Sequence, residues 1–480
     1  MSSGGLLNIG DFLTIGDIVL STVAEPPLMQ ENPEVFIDSR EVTVGSVFVA
    51  LKGERTDGHA HIAQAFERGA KFVMVSRAWY GQQHGTETEP PSGCGFLVCD
   101  DPVAGLQWLA ARYRDTFAIP IVAIGGSNGK TTTKEMVTAL LSTVFRVVTN
   151  RGNQNNHIGV PLTLLRLRRD TGIAVVEMGI NHPGEMLQLA GMVRPTHGLL
   201  TNIGHEHLEY LMDLDGVAAE ETLLFRFLQE HGSIAFVNHA DPFLRKAGEL
   251  VERTVGYDDR GCEAQGFRIE SAAMAPDGYL SFRLVGTEGE ELVTMQFTGR
   301  HNVQNAIAAM SVARYFGVSF SRIRKGFMAL VPQTGWKRLE VSEVAGVRLI
   351  NDTYNANSDS MRMAVATLRD MPGAGRRIAV LAEMLELGTA AGEEHRRIGR
   401  YLRENPVAML YTFGQNAALI GEAAGSELPQ RHFQHEPDLI EALTGVVQSG
   451  DIVLFKGSRG MKLERIADAL RHYLSSTVTG

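Results

Sequence analysis

The chain has 480 residues, 44% hydrophobic and 21% charged, which is enough apolar material for packed cores and too little charge for wholesale disorder. Its formal net charge of −10 argues against a general nucleic-acid binder, which would carry a basic face, but leaves room for a local basic pocket around phosphates. Three cysteines, Cys94, Cys99 and Cys262, match no zinc spacing and no disulfide framework, so reduced thiols are expected.

At about 150 residues per domain the length suggests roughly three domains. No apolar run reaches the roughly 18 residues of a membrane helix. Met1 to Asp11 lacks the basic-then-apolar pattern of a secretory leader, so a cytoplasmic protein is expected. The first segment, 1–104, mixes short apolar runs with glycine-rich turns: Val47–Leu51 and Phe72–Ser76 read as strands, His61–Gly69 as a helix between them, and Gly81–Gly95 as a loop. In the second, 105–333, Ile121–Ile124 is a short buried strand, and Lys130 to Phe145 has helical spacing through Met136, Leu140 and Leu141. Further strands are predicted at Ile173–Val176, Gly198–Thr201 and Ile234–Val237. Antiparallel β structure follows over Glu270–Thr298, then a helix over His301–Phe316. The run Val331–Gly335 marks a boundary. Segment 334–480 alternates again, with strands at Val347–Ile350, Ile378–Leu381, Met409–Thr412 and Ile452–Phe455. Strands alternating with helices predict an α/β protein with mostly parallel sheets.

Gly126-Ser-Asn-Gly-Lys-Thr131 leaves a strand and opens a helix. Glycines there let backbone N–H groups approach phosphate oxygens, and the helix N-terminus adds positive charge. Lys130 would reach the β- and γ-phosphates and the Thr131 hydroxyl would meet magnesium. Ile124 occupies the first glycine position of the eight-residue pattern, so only the core Gly-x-x-Gly-Lys-Thr is intact, and an ordinary glycine-rich turn is the competing reading. Glu177 ends a strand, where a carboxylate could hold magnesium beside the phosphates or could simply cap or pair. His205 and His207 stand two apart in Thr201-Asn-Ile-Gly-His-Glu-His207, but no third ligand at useful spacing supports zinc, and each reads first as a surface histidine. Asn238-His-Ala-Asp241 lacks the lysine of a guanine-reading motif.

Taken together these segments resemble the Mur ligases over almost the whole chain. The resemblance rests on the phosphate loop, Gly152–Pro161, Val176-Glu-Met-Gly179, Thr201–Gly204 with His207-Leu-Glu209, and Gly299–Asn305, in that order. Asp352-Thr-Tyr-Asn-Ala-Asn357 with Asp359-Ser-Met361, Met384–Gly388 and Lys456–Met461 resemble the member that adds D-alanyl-D-alanine to a UDP-N-acetylmuramoyl-tripeptide. Asp38-Ser-Arg40, Val49–Gly53 and Asp57-Gly-His59 are similar to its UDP-sugar domain. The resemblance implies a smaller N-terminal α/β domain, a central P-loop domain and a C-terminal Rossmann-like α/β domain, with ATP and Mg2+ as cofactors and a monomeric state. It implies that Gly126, Ser127, Asn128, Gly129, Lys130, Thr131, Thr132, Asn302, Asp352, Tyr354, Asn355 and Asn357 serve ATP. Ser39, Arg40, Asn153 and Asn156 would serve the UDP-substrate. Lys130, Glu177 and His207 would be catalytic, with Thr131, Glu177 and His207 on the metal.

The sequence departs from the family in one telling place. The family carries a carbamylated lysine that supports magnesium, and Glu221 falls at about its position. Glu221, or Glu220 beside it, would supply a carboxylate without modification and with shorter reach, unless both belong to a solvated helix face. Ser358 stands where proline is common, and Ala382-Glu-Met384 where Gly-Asp-Met is usual. The implied chemistry is an acyl phosphate made from ATP and the tripeptide carboxylate, then attacked by the dipeptide amine, with His205 a candidate base. The rivals are a folate polyglutamate synthase on the same scaffold, a P-loop kinase or motor ATPase, and a non-catalytic nucleotide-binding module.

Overall fold

The computed structural model describes residues 19–21, 34–53, 56–82, 90–331 and 337–478. They fall into two compact units. One takes residues up to 123 with 145–179 and 185–196; the other takes 124–144, 180–184 and 197 onward. The N-terminal eleven residues and most of the Val331–Gly335 boundary lie outside the described residues. Among the described residues no helix is long and apolar enough to cross a membrane.

In the first unit a five-stranded sheet sets Val19–Ser21, Gly95–Cys99, Phe72–Ser76, Val47–Val49 and Val35–Phe36 side by side. Only the first pair is antiparallel. Val73, Val75, Phe96 and Val98 pack on Ile62 and Ala65 of the helix Ile62–Glu67, so the continuous apolar runs are what a sheet buried on its faces needs. The expected loop Gly81–Gly95 is shorter than its composition suggested: Gly81 lies in the helix Arg77–Gln82, Gly95 opens a strand, and 83–89 lie outside the described residues. The Asp57-Gly-His59 motif is a lock. Asp57 Oδ1 holds His59 Nδ1 at 2.6 Å, and the Ser76 backbone N–H donates to His59 Nε2 at 3.0 Å. All three cysteines are free, and burial pushes the Cys99 thiol up to about 12. Also in this unit, Val147–Thr149 runs parallel to Ile173–Glu177.

The strand Ile121–Gly125 carries the chain from the first unit into the second. There His197–Leu200, Ile234–Asn238 and Thr254–Tyr257 run parallel. The antiparallel segment is a sheet of Gly261–Cys262, Phe267–Met274, Leu280–Gly286 and Gly289–Met295, followed by the helix His301–Tyr315. The C-terminal sheet has the order Glu340–Val344, Val347–Asp352, Ile452–Lys456, Arg377–Ala382, Met409–Phe413, Gln430–Phe433. Only its first pair is antiparallel. In open parallel sheets, ligands gather beyond the carboxyl ends of strands. Here the loops starting at Thr353, Glu383 and Gly457 leave the carboxyl ends of three neighbouring strands.

His197 shows how this packing sets charge. It lies against Phe236, Tyr315 and Phe316, with centroids 6.3, 5.2 and 4.9 Å away. Burial pushes its pKa down from 6.5 to about 4. The unfolded chain therefore binds more protons between those values, and stability falls as pH drops through that window. The loss at pH 5 is about 2 kcal/mol. His197→Phe is expected to remove that share of the acid sensitivity, as read from urea unfolding midpoints at about pH 7.5 and about pH 5.

Candidate active site

The phosphate loop is held open by its neighbours. The Ser127 N–H donates to Asn202 O at 2.8 Å, the Asn128 N–H to Asn202 Oδ1 at 3.1 Å, and Thr201 Oγ1 to Asn128 O at 2.7 Å. Two glycines are required. Gly126 (φ +103°) and Gly129 (φ +82°) sit in left-handed backbone, and a Cβ would come within 2.4 Å of Thr201 Oγ1 and 2.5 Å of Asn305 Oδ1 respectively. The helix Lys130–Leu141 starts at Gly129 without a side-chain cap, so its first N–H groups are the donors a phosphate would meet. The motif Thr201–Gly204, unassigned by spacing alone, is the brace of this loop.

Four titratable groups converge on it. Lys130 Nζ lies 3.3 Å from Glu206 Oε2 and 3.3 Å from Ser127 O. His207 Nε2 lies 3.8 Å from the same Glu206 oxygen. Glu221, fully buried at the end of the helix Leu214–Glu221, accepts the Gly126 N–H on Oε2 at 2.8 Å; its Oε1 is buried with no hydrogen-bond partner among the described residues. Burial pushes its carboxyl up to about 7; Lys130 pulls it back and Glu206 adds to the rise. The solvated-face alternative for this helix does not hold: Glu220 is buried as well, and accepts the Gly184 N–H at 2.9 Å. Among the described residues, no three His, Cys, Asp or Glu side chains form a ready metal cage. Magnesium is generally held by one or two protein carboxylates together with substrate phosphates. An unpartnered, fully buried carboxylate oxygen beside the phosphate loop fits such an ion.

The C-terminal loops reach the same place. Arg338 NH2 donates to Thr131 Oγ1 at 3.1 Å, and its guanidinium lies 4.0 Å from the centroid of Tyr354. Asn357 Nδ2 donates to Asn128 Oδ1 at 3.0 Å. Asn357 also caps the helix Ser358–Asp370 through a capping box with Ser360, so the capping alternative and the loop contact both hold. Ser358 occupies the first helical position, where proline is well tolerated. Asp352 accepts from Lys456 Nζ at 2.7 Å, and the same ammonium donates to Asn355 O at 3.0 Å. Asn355 is itself exposed. Lys456 is nearly fully buried, so removing it strands a carboxylate: Lys456→Met is expected to cost about 3 kcal/mol, and adding Asp352→Asn to recover part of it. Denaturant titration of the three variants checks this. His205, the candidate base, is engaged elsewhere: its backbone N–H and Nδ1 each lie 3.0 Å from Asp359 Oδ2, with Arg397 NH1 3.2 Å from Nε2.

Beside the loop lies a cavity of about 350 Å³ lined by Asn128, Thr201, Asn238, Asp241, His301 and Asn305 among others. Asn302 does not line it. Its amide donates to Thr298 O at 2.8 Å, and its Oδ1 accepts from Asn305 at 2.8 Å, so it positions the asparagine that does. Burial pushes His301 down to about 4, leaving a neutral ring on the wall. A phosphate loop, an adjoining pocket with amide edges and an arginine from the segment before the C-terminal sheet have the chemistry to take a nucleotide.

Comparison with known proteins agrees. Three family descriptions match: "Mur ligase family, catalytic domain" over 34–92, "Mur ligase middle domain" over 124–313 and "Mur ligase, glutamate ligase domain" over 337–459. The UDP-N-acetylmuramoyl-tripeptide–D-alanyl-D-alanine ligase of Bacillus subtilis is 33% identical over 95% of this chain and 97% of its own length. This chain belongs to the Mur ligase family. The Escherichia coli ligase of the same name is 32% identical over 91% of this chain and 93% of its own. A MurF from Acinetobacter baumannii superposes with TM-score 0.78 at 32% identity, covering 92% of this chain and 94% of that one. A Thermotoga maritima MurF ligase in complex with ADP gives 0.78 at 26%, covering 93% and 99%. The expected α/β ligase fold of three domains is thereby borne out.

For a Mur ligase, the remaining sequence candidates sit as follows, all but Thr132 in the first unit. Glu177 is buried; Asn155 Nδ2 donates to its Oε1 at 2.8 Å, and Asn150 pairs with its backbone at 2.6 and 3.2 Å. Ser39 Oγ donates to Gln64 Oε1 at 2.6 Å. Arg40 is exposed and pairs with Asp38, and its guanidinium holds that carboxyl down to about 2. Asn153 is exposed, whereas Asn156 accepts the Ile158 and Gly159 N–H groups at 3.1 and 3.0 Å. Thr132 is buried in the helix that opens at Lys130. Arg338, Glu206, Asn155 and Asn305 were not singled out from sequence. Asn155 and Asn305 lie inside the motifs Gly152–Pro161 and Gly299–Asn305, and Glu206 lies between His205 and His207.

Proposed function

We propose that this Mur ligase joins D-alanyl-D-alanine to UDP-N-acetylmuramoyl-tripeptide at the expense of ATP, in the cytoplasm, as a step of peptidoglycan precursor synthesis. The name shared by its full-length relatives supports the substrates. One geometric observation carries the reading against a plain P-loop kinase or ATPase: Arg338 and Asn357, from the C-terminal sheet region, bond directly to Thr131 and Asn128 of the phosphate loop. A folate ligase on this scaffold is disfavoured by the match over residues 34–92. The division we propose is 1–104 for the UDP-sugar end, 105–333 for ATP and 334–480 for the dipeptide.

A carboxylate and an amine do not condense unaided in water. The tripeptide carboxylate attacks the γ-phosphorus, the bond to the β-phosphate oxygen breaks, and ADP leaves an acyl phosphate. The dipeptide's free amine then attacks the acyl carbon, phosphate departs, and the amine loses a proton as the amide forms. Negative charge gathers in the first step. Lys130, the N-terminus of its helix and Arg338, which bonds to Thr131, offer it positive charge. Thr131, Glu177, His207 and Glu221 would hold magnesium, which neutralises phosphate charge when bound. Asp352, Tyr354, Asn355 and Asn357 close on the nucleotide, and Ser39, Arg40, Asn153 and Asn156 are assigned to the UDP-substrate. Bringing the C-terminal domain down excludes water from the acyl phosphate.

The test is phosphate release from Mg-ATP with UDP-N-acetylmuramoyl-tripeptide, with and without D-alanyl-D-alanine. Release only with both, and a product whose mass is their sum minus water, is the expected result. Release indifferent to both would return the chain to the plain ATPases.

A further inference from the structure

We propose that Glu386 is a positioning residue that fixes the orientation and tautomer of His207, so that the ring's other nitrogen faces the phosphate loop. The inference rests on the reading of His207 as a magnesium ligand. Glu386 Oε2 lies 2.8 Å from His207 Nδ1. An ionised carboxylate offers only acceptors, so Nδ1 carries the proton and Nε2 keeps its lone pair. That nitrogen points the opposite way, 3.8 Å from Glu206 Oε2, which in turn is 3.3 Å from Lys130 Nζ. A histidine whose outer N–H is held by a carboxylate is the arrangement that fixes metal-ligating imidazoles elsewhere.

The backbone is built around this contact. Both residues sit in left-handed conformation, His207 at φ +51° and Glu386 at φ +62°, which a non-glycine residue adopts at a cost. The Glu209 N–H donates to Glu386 O at 3.2 Å, and the Leu211 N–H to His207 O at 2.9 Å, so the two strained residues are pinned facing each other. The pair is separated by 179 positions in sequence. Glu386 belongs to the loop that leaves the strand Arg377–Ala382, so the histidine is oriented only while that loop rests on the turn Leu208–Leu211. Seating the C-terminal sheet and preparing the metal ligand are then one event. A purely structural ion pair predicts something different. Glu386 is 54% exposed in its side chain, and exposed pairs add little to stability.

The experiment titrates Mn2+ into the full-length protein with ADP present and follows the free ion by electron paramagnetic resonance, beside thermal unfolding of each variant. Glu386→Ala is expected to weaken Mn2+ binding about tenfold or more with little change in the unfolding midpoint. Glu386→Gln, whose amide oxygen accepts the same proton, should retain most of the affinity and guards against a misfolded alanine variant. In a His207→Ala background, Glu386→Ala should have no further effect. If Glu386→Ala binds Mn2+ like the wild type while His207→Ala is weakened, the inference is overturned. A glutamine variant as weak as alanine overturns the hydrogen-bond account too. If His207→Ala itself binds like the wild type, the metal reading of His207 fails instead.

Discussion

Lys130→Met is expected to lower kcat for ADP formation by about a thousandfold, roughly 4 kcal/mol of transition-state stabilisation. The ammonium is largely buried, and lies 3.3 Å from both Glu206 and the Ser127 carbonyl. Those contacts hold the charge beside the loop before any phosphate arrives. When charge moves onto the transferring phosphoryl group, a cation already in place needs no reorganisation, which is why its loss falls on the rate. Methionine keeps the apolar stem, so the start of the helix Lys130–Leu141 is undisturbed. ADP binding should change far less than kcat, because the loop N–H groups and the helix N-terminus remain. Arginine at this position should recover only part of the rate, since its planar fork cannot replace a compact ammonium seated against Glu206. Calorimetric ADP binding beside phosphate release separates the two effects. A methionine variant within tenfold of the wild-type kcat would remove Lys130 from the reaction centre.

What sequence made legible follows from the range of each interaction. The phosphate loop, its strand and its helix are local, so glycine spacing and apolar periodicity were enough to place Gly126–Thr131. The three loops at the carboxyl edge of the C-terminal sheet were recognised as segments, but only the strand order Val347–Asp352, Ile452–Lys456, Arg377–Ala382 shows why they share one place. Arg338 meets Thr131 across 207 positions, and no periodicity marks such a pair. Glu206 carries no local signal: the histidines on either side of it support no zinc spacing, and its meaning depends on Lys130 across 76 positions. Asn302 and Asn305 show the finer limit. A motif assigned the asparagine, and the hydrogen bond from Asn305 to Asn302 shows which of the two faces the cavity. The shortened loop after Gly81 is a milder case: glycine and polar composition argued for a turn, and the packing of Trp79 and Tyr80 on Phe96 favours a short helix instead.

Glu221 carries the second large expectation, at the position where the family resemblance implies a carbamylated lysine. Glu221→Gln is expected to lower kcat by two to three orders of magnitude, about 3 to 4 kcal/mol. Bicarbonate should neither stimulate the wild type nor rescue the variant. The carboxylate is fully buried, one oxygen takes the Gly126 N–H at 2.8 Å, and the other has no hydrogen-bond partner among the described residues. Burying such a group is costly unless something cationic balances it, and Lys130 serves only in part because it also faces Glu206. Glutamine preserves volume and can still accept from Gly126 through its oxygen. It then turns an NH2 donor toward the position that a carboxylate leaves for a cation, so the loss should appear in magnesium dependence rather than in folding. Alanine would add an unpaired Gly126 N–H and a cavity, and would confuse the two effects. The decisive variant is Glu221→Lys. If Glu221 stands in for a carbamate, a lysine at this position should regain activity only when carbon dioxide can modify it. Removing bicarbonate should then silence that variant and leave the wild type untouched. A wild-type enzyme that itself loses activity on bicarbonate removal and recovers on its return would show that a different residue bears the carbamate, and that the buried Glu221 serves the loop through Gly126 alone.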